Sequence, residues 1–490
     1  MAIREYFVRG ERKTVEEIDD VVAVRVADGA ALEAAEARPD DDELSAFRNA
    51  NWVFLPESSA QVLETADDSG KLVQRPNGRF GIVTKRLTVQ LDEDLSTEEA
   101  ERVLDEQGLR LVTRLRFAPN LFEVDTTRHD DALTASVELS QDPRFTLAEP
   151  SLVEHVPQRL KPTDPHYGAQ WQWANTGQNG GTVGADVHAE AAWDRTRGAG
   201  IRVAVIDNGF NTAHEDLQAG VIGTSGFIKQ NGTFTLGTAG MPSGDHGTFC
   251  AGMVGARQNN ARGGCGVAPE SQLMLLACLG DQVGTQTTLA RTVAYAADPS
   301  TEVPGADPAS GADVLVSSLG PNGAAWDLTT TLQLALEFAA DKGRSGRGLA
   351  IFWAASNGNN VDVLQDEVVS HQDVIAVVRS TRRDLEDNAA RGPEVELIAP
   401  GVDVVSTTGN GGYGKNTGTS FAAPCAAGCA ALALSMNTAL SRDQLRQIMH
   451  ETADKIGGVA YDALGHHDDY GFGRVNAAKA VAQAESTVTP

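Results

Sequence analysis

Three short segments of the 490-residue chain hold residue types that together could transfer an acyl group. Ile201-Arg-Val-Ala-Val-Ile-Asp207-Asn-Gly209 sets a carboxylate at the end of an apolar run. Asp245-His246-Gly-Thr-Phe-Cys-Ala-Gly252 sets an imidazole at the start of a small-residue stretch. Gly418-Thr-Ser420-Phe-Ala-Ala-Pro424 does the same for a hydroxyl. Taken singly, each reads as ordinary structure: an aspartate closing a turn, a satisfied histidine, a serine at a helix start. Together they supply a nucleophile, a base for its proton, and a carboxylate to orient and stabilise the imidazolium.

Such groups need a rigid frame. Apolar, β-rich runs at Ile201–Ile206, Leu273–Cys278, Val314–Ser317, Leu349–Ala354 and Val374–Val378 alternate with helical stretches. That pattern predicts an α/β fold with a mostly parallel sheet and helices on both faces. Asp207 would then lie at the carboxyl end of a strand, where open α/β sheets gather their sites.

Upstream, a strand over Leu87–Leu91 leads into a capping box at Ser96-Thr-Glu-Glu99. Strands at Leu109–Val112 and Leu121–Val124, a helix at Asp131–Leu139 and a strand at Phe145–Val156 follow. The order β-α-β-β-α-β predicts an α+β, ferredoxin-like domain. Residues 1–85 read as short strands and loops, with a hairpin turning at Asn77-Gly78 and a solvated acidic loop at Asp40–Glu43. The polar segment from Pro157 to Asp164, with two prolines, reads as a boundary. The expected division is therefore 1–85, 86–156, a linker at 157–163, and 164–490.

Net charge is −27, with 41% hydrophobic and 22% charged residues. This is a globular balance without the basic footprint of a nucleic-acid binder, and its acidity disfavours anionic membranes. No stretch is expected to match the ~18 apolar residues of a membrane span. The first residues lack the ~7–15-residue apolar core of a secretory signal, so a cytoplasmic protein is the expectation. Five cysteines, Cys250, Cys265, Cys278, Cys425 and Cys429, form neither a disulfide framework nor a paired metal motif.

The order Asp, His, Ser and the motifs D-x-G, H-G-T-x-x-A-G and G-T-S-x-A-x-P resemble those of the subtilisin-family serine proteases. The resemblance runs from about Asp164 to Ala484 and takes in Gly263-Gly-Cys-Gly-Val-Ala-Pro269, Ala399-Pro-Gly-Val402 and Tyr470-Gly-Phe-Gly-Arg-Val-Asn476. It implies a serine endopeptidase with Asp207 as orienter, His246 as general base and Ser420 as nucleophile. Ala354-Ala-Ser-Asn357 resembles the family's A-A-G-N, so Asn357 is the implied oxyanion donor, with Thr419 assisting; Asn359 and Asn360 are rivals. Ser356 stands where the family usually has glycine. Ser318-Leu319-Gly320 and the segment Gly280–Gln286, including Gly284, resemble the strands that flank an extended peptide substrate. Asp366 falls where kexin-like members place an acid that selects basic side chains.

The resemblance further implies structural Ca2+ held by Asp164, Asp216 and Asn260, with no catalytic cofactor. Arg262 within that loop is a departure. Segment 86–156 resembles the family's propeptide, which makes the chain a zymogen inhibited by its own amino-terminal part and processed within 157–163. A specific maturation protease or peptide ligase would use the same acyl-enzyme, and a silent binding protein the same fold. The family is often secreted, so export by another route stays open, as does the oligomeric state.

Overall fold

Alternation inside one strand explains how the main sheet is covered twice. Along Arg202–Asp207, Val203 and Val205 join one buried apolar cluster while Ala204 and Ile206 join another. Successive side chains leave a strand on opposite faces, so a strand buried on both must be apolar throughout. The structure is a computed structural model that describes residues 2–26, 44–58, 68–76, 79–154, 161–229, 231–278, 284–321, 323, 325–358 and 361–487. The chain divides into two units, 1–158 and 159–489.

In the second unit an eight-stranded sheet runs Phe234–Leu236, Gly226–Ile228, Gln272–Ala277, Arg202–Asp207, Val314–Ser317, Ala350–Ala354, Val374–Ser380, Val395–Pro400. All neighbours are parallel except the edge pair Gly226–Ile228 and Phe234–Leu236. One face carries helices Asp245–Gly255 and Thr419–Met436, and the other carries Gln286–Ala297 and Thr330–Gly346. The α/β reading therefore stands. Helix Thr419–Met436 is long and apolar enough to cross a membrane, contrary to expectation, but 89% of it is buried in the core. All five cysteines are buried free thiols.

The first unit holds two antiparallel sheets. In one, strands Leu109–Arg114, Leu121–Thr126, Arg86–Leu91 and Phe145–Pro150 lie side by side in that order. Helices Thr97–Glu106 and Ala132–Leu139 complete the β-α-β-β-α-β order. The Ser96 hydroxyl accepts from Glu99 N while the Glu99 carboxylate accepts from Ser96 N, a reciprocal capping box.

Three expectations change here. The strand foreseen over Phe145–Val156 breaks after Pro150, and its second piece, Val153–Glu154, pairs with Phe80–Val83 in the other sheet. The short strands foreseen near the amino terminus include the 15-residue Glu11–Arg25, whose register shifts around Asp20 at φ 61°. The boundary at 85/86 falls inside one core, because Tyr6, Val15, Val73 and Val83 cluster with Leu87, Val89 and Leu104. The turn at Asn77-Gly78 and the acidic loop lie outside the described residues, although Asp68–Gln74 and Phe80–Val83 pair antiparallel around that turn.

Candidate active site

Strand Arg202–Asp207 is paired with Gln272–Ala277 on one side and Val314–Ser317 on the other. From it the sheet grows in both directions, so its carboxyl end opens a crevice at the switch in strand order. Asp207, fully buried at that end, accepts from Asn208 N at 2.7 Å. Its two carboxylate oxygens lie 3.0 and 2.9 Å from His246 Nδ1. That contact makes Nδ1 the protonated nitrogen and Nε2 the base. His246 is the second residue of helix Asp245–Gly255, and the helix can come this close because residue 247 is glycine. A Cβ there would sit 2.3 Å from the Gly209 carbonyl oxygen and 2.8 Å from Asp207 Cβ.

Ser420 is the second residue of helix Thr419–Met436 and lines the same cleft as Asp207, His246 and Asn357. Its carbonyl would ordinarily accept from the N–H of residue 424, which is proline and has none. The Ser318 hydroxyl at 2.8 Å and the Cys250 thiol at 3.3 Å donate to it instead. Ser318 thus holds the backbone of Ser420 itself.

The Asn357 carboxamide is held by its oxygen, which accepts from Thr419 N at 2.8 Å and from Arg379 Nη1 at 2.5 Å. Nδ2 is the end turned away from these donors. Thr419 lines the cleft, but its hydroxyl is already engaged within the protein. It is buried, donates to the Ala355 carbonyl oxygen and lies 3.1 Å from Asn357 Oδ1, so its one proton is committed to positioning. Ser356, in the place of a glycine, accepts from Gly323 N at 2.6 Å and Gly358 N at 3.0 Å, tying two loops of the cleft together. Residues 359 and 360 lie outside the described residues.

Around His246 the Cys250 sulfur, 4.0 Å from Nδ1, and the Asp207 carboxylate favour the charged ring and raise its pKa, while burial opposes them. Burial pushes the Cys250 thiol itself up, so it is neutral near pH 7 and the carboxylate is the anion that acts.

Beyond Ser420 the cleft continues as a pocket bounded by Gly320, Trp326 and Asp366. A Cβ on Gly320 would lie 3.5 Å from the Trp326 ring and 3.7 Å from Asp366 Oδ2, so glycine leaves this space open. Asp366 is buried, and its Oδ1 accepts from Val368 N and Val369 N at 3.1 Å each. Burial pushes its pKa up to about 6 against those two bonds. The Leu319 carbonyl accepts from the Trp353 indole N–H at 2.6 Å, which fixes the backbone of Ser318-Leu319-Gly320 along the cleft. Gly284 lines the cleft and Thr285 caps helix Gln286–Ala297, while residues 280–283 lie outside the described residues.

Asp164 and Asp216 are buried and close enough for Asp164 to raise the pKa of Asp216, which burial chiefly lifts to about 6. Asp164 accepts from Asn259 N and Asn260 N, but Asp216 Oδ2 is buried without a partner. Paired carboxylates with an orphaned oxygen fit a hard divalent cation. Arg262 does not obstruct it, being turned outward to Glu215 at 3.0 Å. Asn260 departs from its expected role as an oxygen ligand: its Oδ1 accepts from Arg262 N while Nδ2 donates to Asp216 at 2.6 Å.

Fold and site together set an Asp-His pair and a serine around one cleft at the carboxyl ends of a parallel α/β sheet. The subtilase family profile (Peptidase S8) matches residues 198–473, more than half of the chain, and the chain belongs to that family. It is similar to a calcium-dependent protease of Trichormus variabilis, 30% identical over 463 residues that take in 85% of this chain and 66% of that one, just under two thirds. A thermophilic serine proteinase of Bacillus sp. (strain AK1) is 32% identical over 403 residues, covering 81% of this chain and 88% of that one. Among solved structures, a protease from Pseudoalteromonas arctica superposes with a TM-score of 0.55 at 26% identity, covering 66% of this chain and 100% of that one. Both sequence likenesses take in more than the second unit alone, which is about two thirds of the chain.

Proposed function

We propose that the protein is a serine endopeptidase acting through an acyl-enzyme. The observation that carries this is the bond from His246 Nδ1 to buried Asp207 in a cleft that also holds Ser420 and Asn357. His246 Nε2 takes the Ser420 proton as Oγ attacks the peptide carbonyl, and the Asn357 amide and Ser420 N–H receive the oxyanion. Collapse expels the amine, protonated by His246; water then enters by the same base and releases the acid. Asp207 stabilises the imidazolium in both halves.

Asp366, which lines the cleft with Oδ2 close to Gly320, supports a preference for a basic side chain before the scissile bond. The amino-terminal unit, with its four-stranded sheet and two helices, supports a zymogen in which residues 86–156 act as propeptide and inhibitor, cut within 157–163. Asp164 and Asp216 would hold structural Ca2+, which the name of the Trichormus relative also supports.

One preparation tests the core of this. Ser420→Ala should remove cleavage and fluorophosphonate labelling and should stay full length, while the parent acquires a new amino terminus near 157–163. A Ser420→Ala chain that still cleaves peptide overturns the assignment, and an active parent that stays intact by mass overturns self-processing alone.

A further inference from the structure

The oxyanion amide is held by a cation that no motif announces. Arg379 lies on strand Val374–Ser380, which pairs in parallel with Ala350–Ala354, the strand that leads into Asn357. The register sets Ala354 beside Val377, so two residues further along each chain bring Arg379 beside the loop that carries the amide. The guanidinium is largely buried, its side chain 12% exposed. Nε donates to Asp387 Oδ2 at 2.9 Å and Nη2 to the Asp387 carbonyl oxygen at 2.8 Å. Nη1 is left to reach Asn357 Oδ1 at 2.5 Å. Asp387 therefore aims the fork as well as balancing its charge. Across the strand the arginine is crowded by Gly401, where an added Cβ would lie 2.7 Å from Arg379 Cβ.

We infer that Arg379 is a positioning residue for catalysis, acting on the oxyanion through Asn357. Two physical effects combine. The first is orientation: a carboxamide has an acceptor end and a donor end of nearly the same shape. With Arg379 Nη1 and Thr419 N both donating to one end, that end must be the oxygen, and the reversed rotamer would set NH2 against donors on both sides. The face of the carboxamide that carries Nδ2 is thereby fixed before substrate arrives, as a preorganised oxyanion donor requires. The second effect is polarisation. A cation on the amide oxygen withdraws density from nitrogen, and hydrogen bonds in a chain strengthen one another in a low-dielectric site. As the substrate carbonyl becomes an oxyanion, the line from guanidinium to amide to oxyanion carries alternating charge. The interaction grows with that charge, so its effect belongs in kcat and not in KM.

This rests on the oxyanion role proposed for Asn357, and the test separates the two. Arg379→Met, Arg379→Gln and Arg379→Lys are made in the full-length parent and in an Asn357→Ala background. Each is assayed for kcat and KM on one chromogenic peptide and for melting temperature. In the parent, Arg379→Met should lower kcat roughly tenfold, the size of one charge-assisted hydrogen bond, at unchanged KM. Arg379→Lys should recover most of the loss, and Arg379→Gln, which keeps an N–H donor without the charge, should fall between. In the Asn357→Ala background the same substitutions should change kcat less than about twofold, because the relay is already cut. If Arg379→Met does not fold, the Gln variant carries the same cycle. An equal cost in both backgrounds, or a loss confined to KM, overturns the inference. An unchanged kcat in Asn357→Ala alone removes the oxyanion role of Asn357 itself.

Discussion

The Ser318 hydroxyl donates to the carbonyl oxygen of Ser420 at 2.8 Å, a bond made possible by Pro424 four residues further on. A helix proline removes one N–H, and here the carbonyl released belongs to Ser420, the proposed nucleophile. Ser318→Ala should leave that carbonyl with the weaker Cys250 thiol donor and loosen the backbone that aims Oγ. The expected result is a drop of about tenfold in kcat and in fluorophosphonate labelling, worth ~1–1.5 kcal/mol, with little change in KM. Labelling at the parental rate would show that the carbonyl needs no such support.

The electrostatics of His246 set the direction of a pH effect. The proposed mechanism uses the neutral ring, whereas the Cys250 sulfur and the Asp207 carboxylate favour the charged one and together raise its pKa above 6.5 against burial. At any given pH more of the enzyme is therefore protonated and idle, so the acid limb of kcat/KM should lie above 6.5. Asp207→Asn should move the limb down while reducing kcat by roughly 10⁴. Cys250→Ala measures how much of the rise the sulfur carries, and a limb that stays in place assigns it to the carboxylate. A parental limb at or below 6.5 contradicts this balance.

Asp366 yields a prediction of opposite sign for specificity and stability. Its carboxyl is held protonated up to about pH 6. The ratio of kcat/KM for arginine over leucine before the scissile bond should rise as pH passes through 6 and then level off. Ionising a buried acid also strains the fold: its stabilising share is complete below the unfolded value of 3.8 and is lost as pH rises through 6. Asp366→Asn should therefore stabilise the fold at pH 8 by up to ~3 kcal/mol, read as a higher melting temperature, and not at pH 3. A ratio flat across pH 5–8 would take the carboxylate out of recognition.

Removal of a divalent cation is the test for the acid pair. A ligand bound only by the native state stabilises it by mass action. Chelation should lower the melting temperature, and Asp216→Asn should abolish most of that response. Identical melting curves with and without chelator, after verified metal removal, would leave the orphaned oxygen of Asp216 without a cation.

Motif and frame were legible for the same reason: each needed a local pattern. Doubly buried strands such as Arg202–Asp207 are apolar end to end, and Ser96 with Glu99 carries its helix start in four residues. What escaped depends on register between distant segments. Arg379 reads as a lone charge ending an apolar run, and only the pairing of its strand with Ala350–Ala354 brings it to Asn357. Ser356 reads as a departure from glycine until its hydroxyl is seen to tie Gly323. Strand Glu11–Arg25 was hidden because its register shift around Asp20 interrupts the two-residue alternation. Of segment Gly280–Gln286 only the last residues are described, and there Thr285 caps a helix.

The five interior thiols give the molecule a built-in clock. None of Cys250, Cys265, Cys278, Cys425 and Cys429 is accessible in the native fold, and no pair is bonded. An alkylating reagent can therefore reach them only when the core opens, and the modification rate reports that opening directly. At low reagent concentration it follows the opening equilibrium, and at high concentration the opening rate itself. Cys278, at the end of a sheet strand, and the Cys425–Cys429 pair, one turn apart on a buried helix, would time different parts of the same collapse.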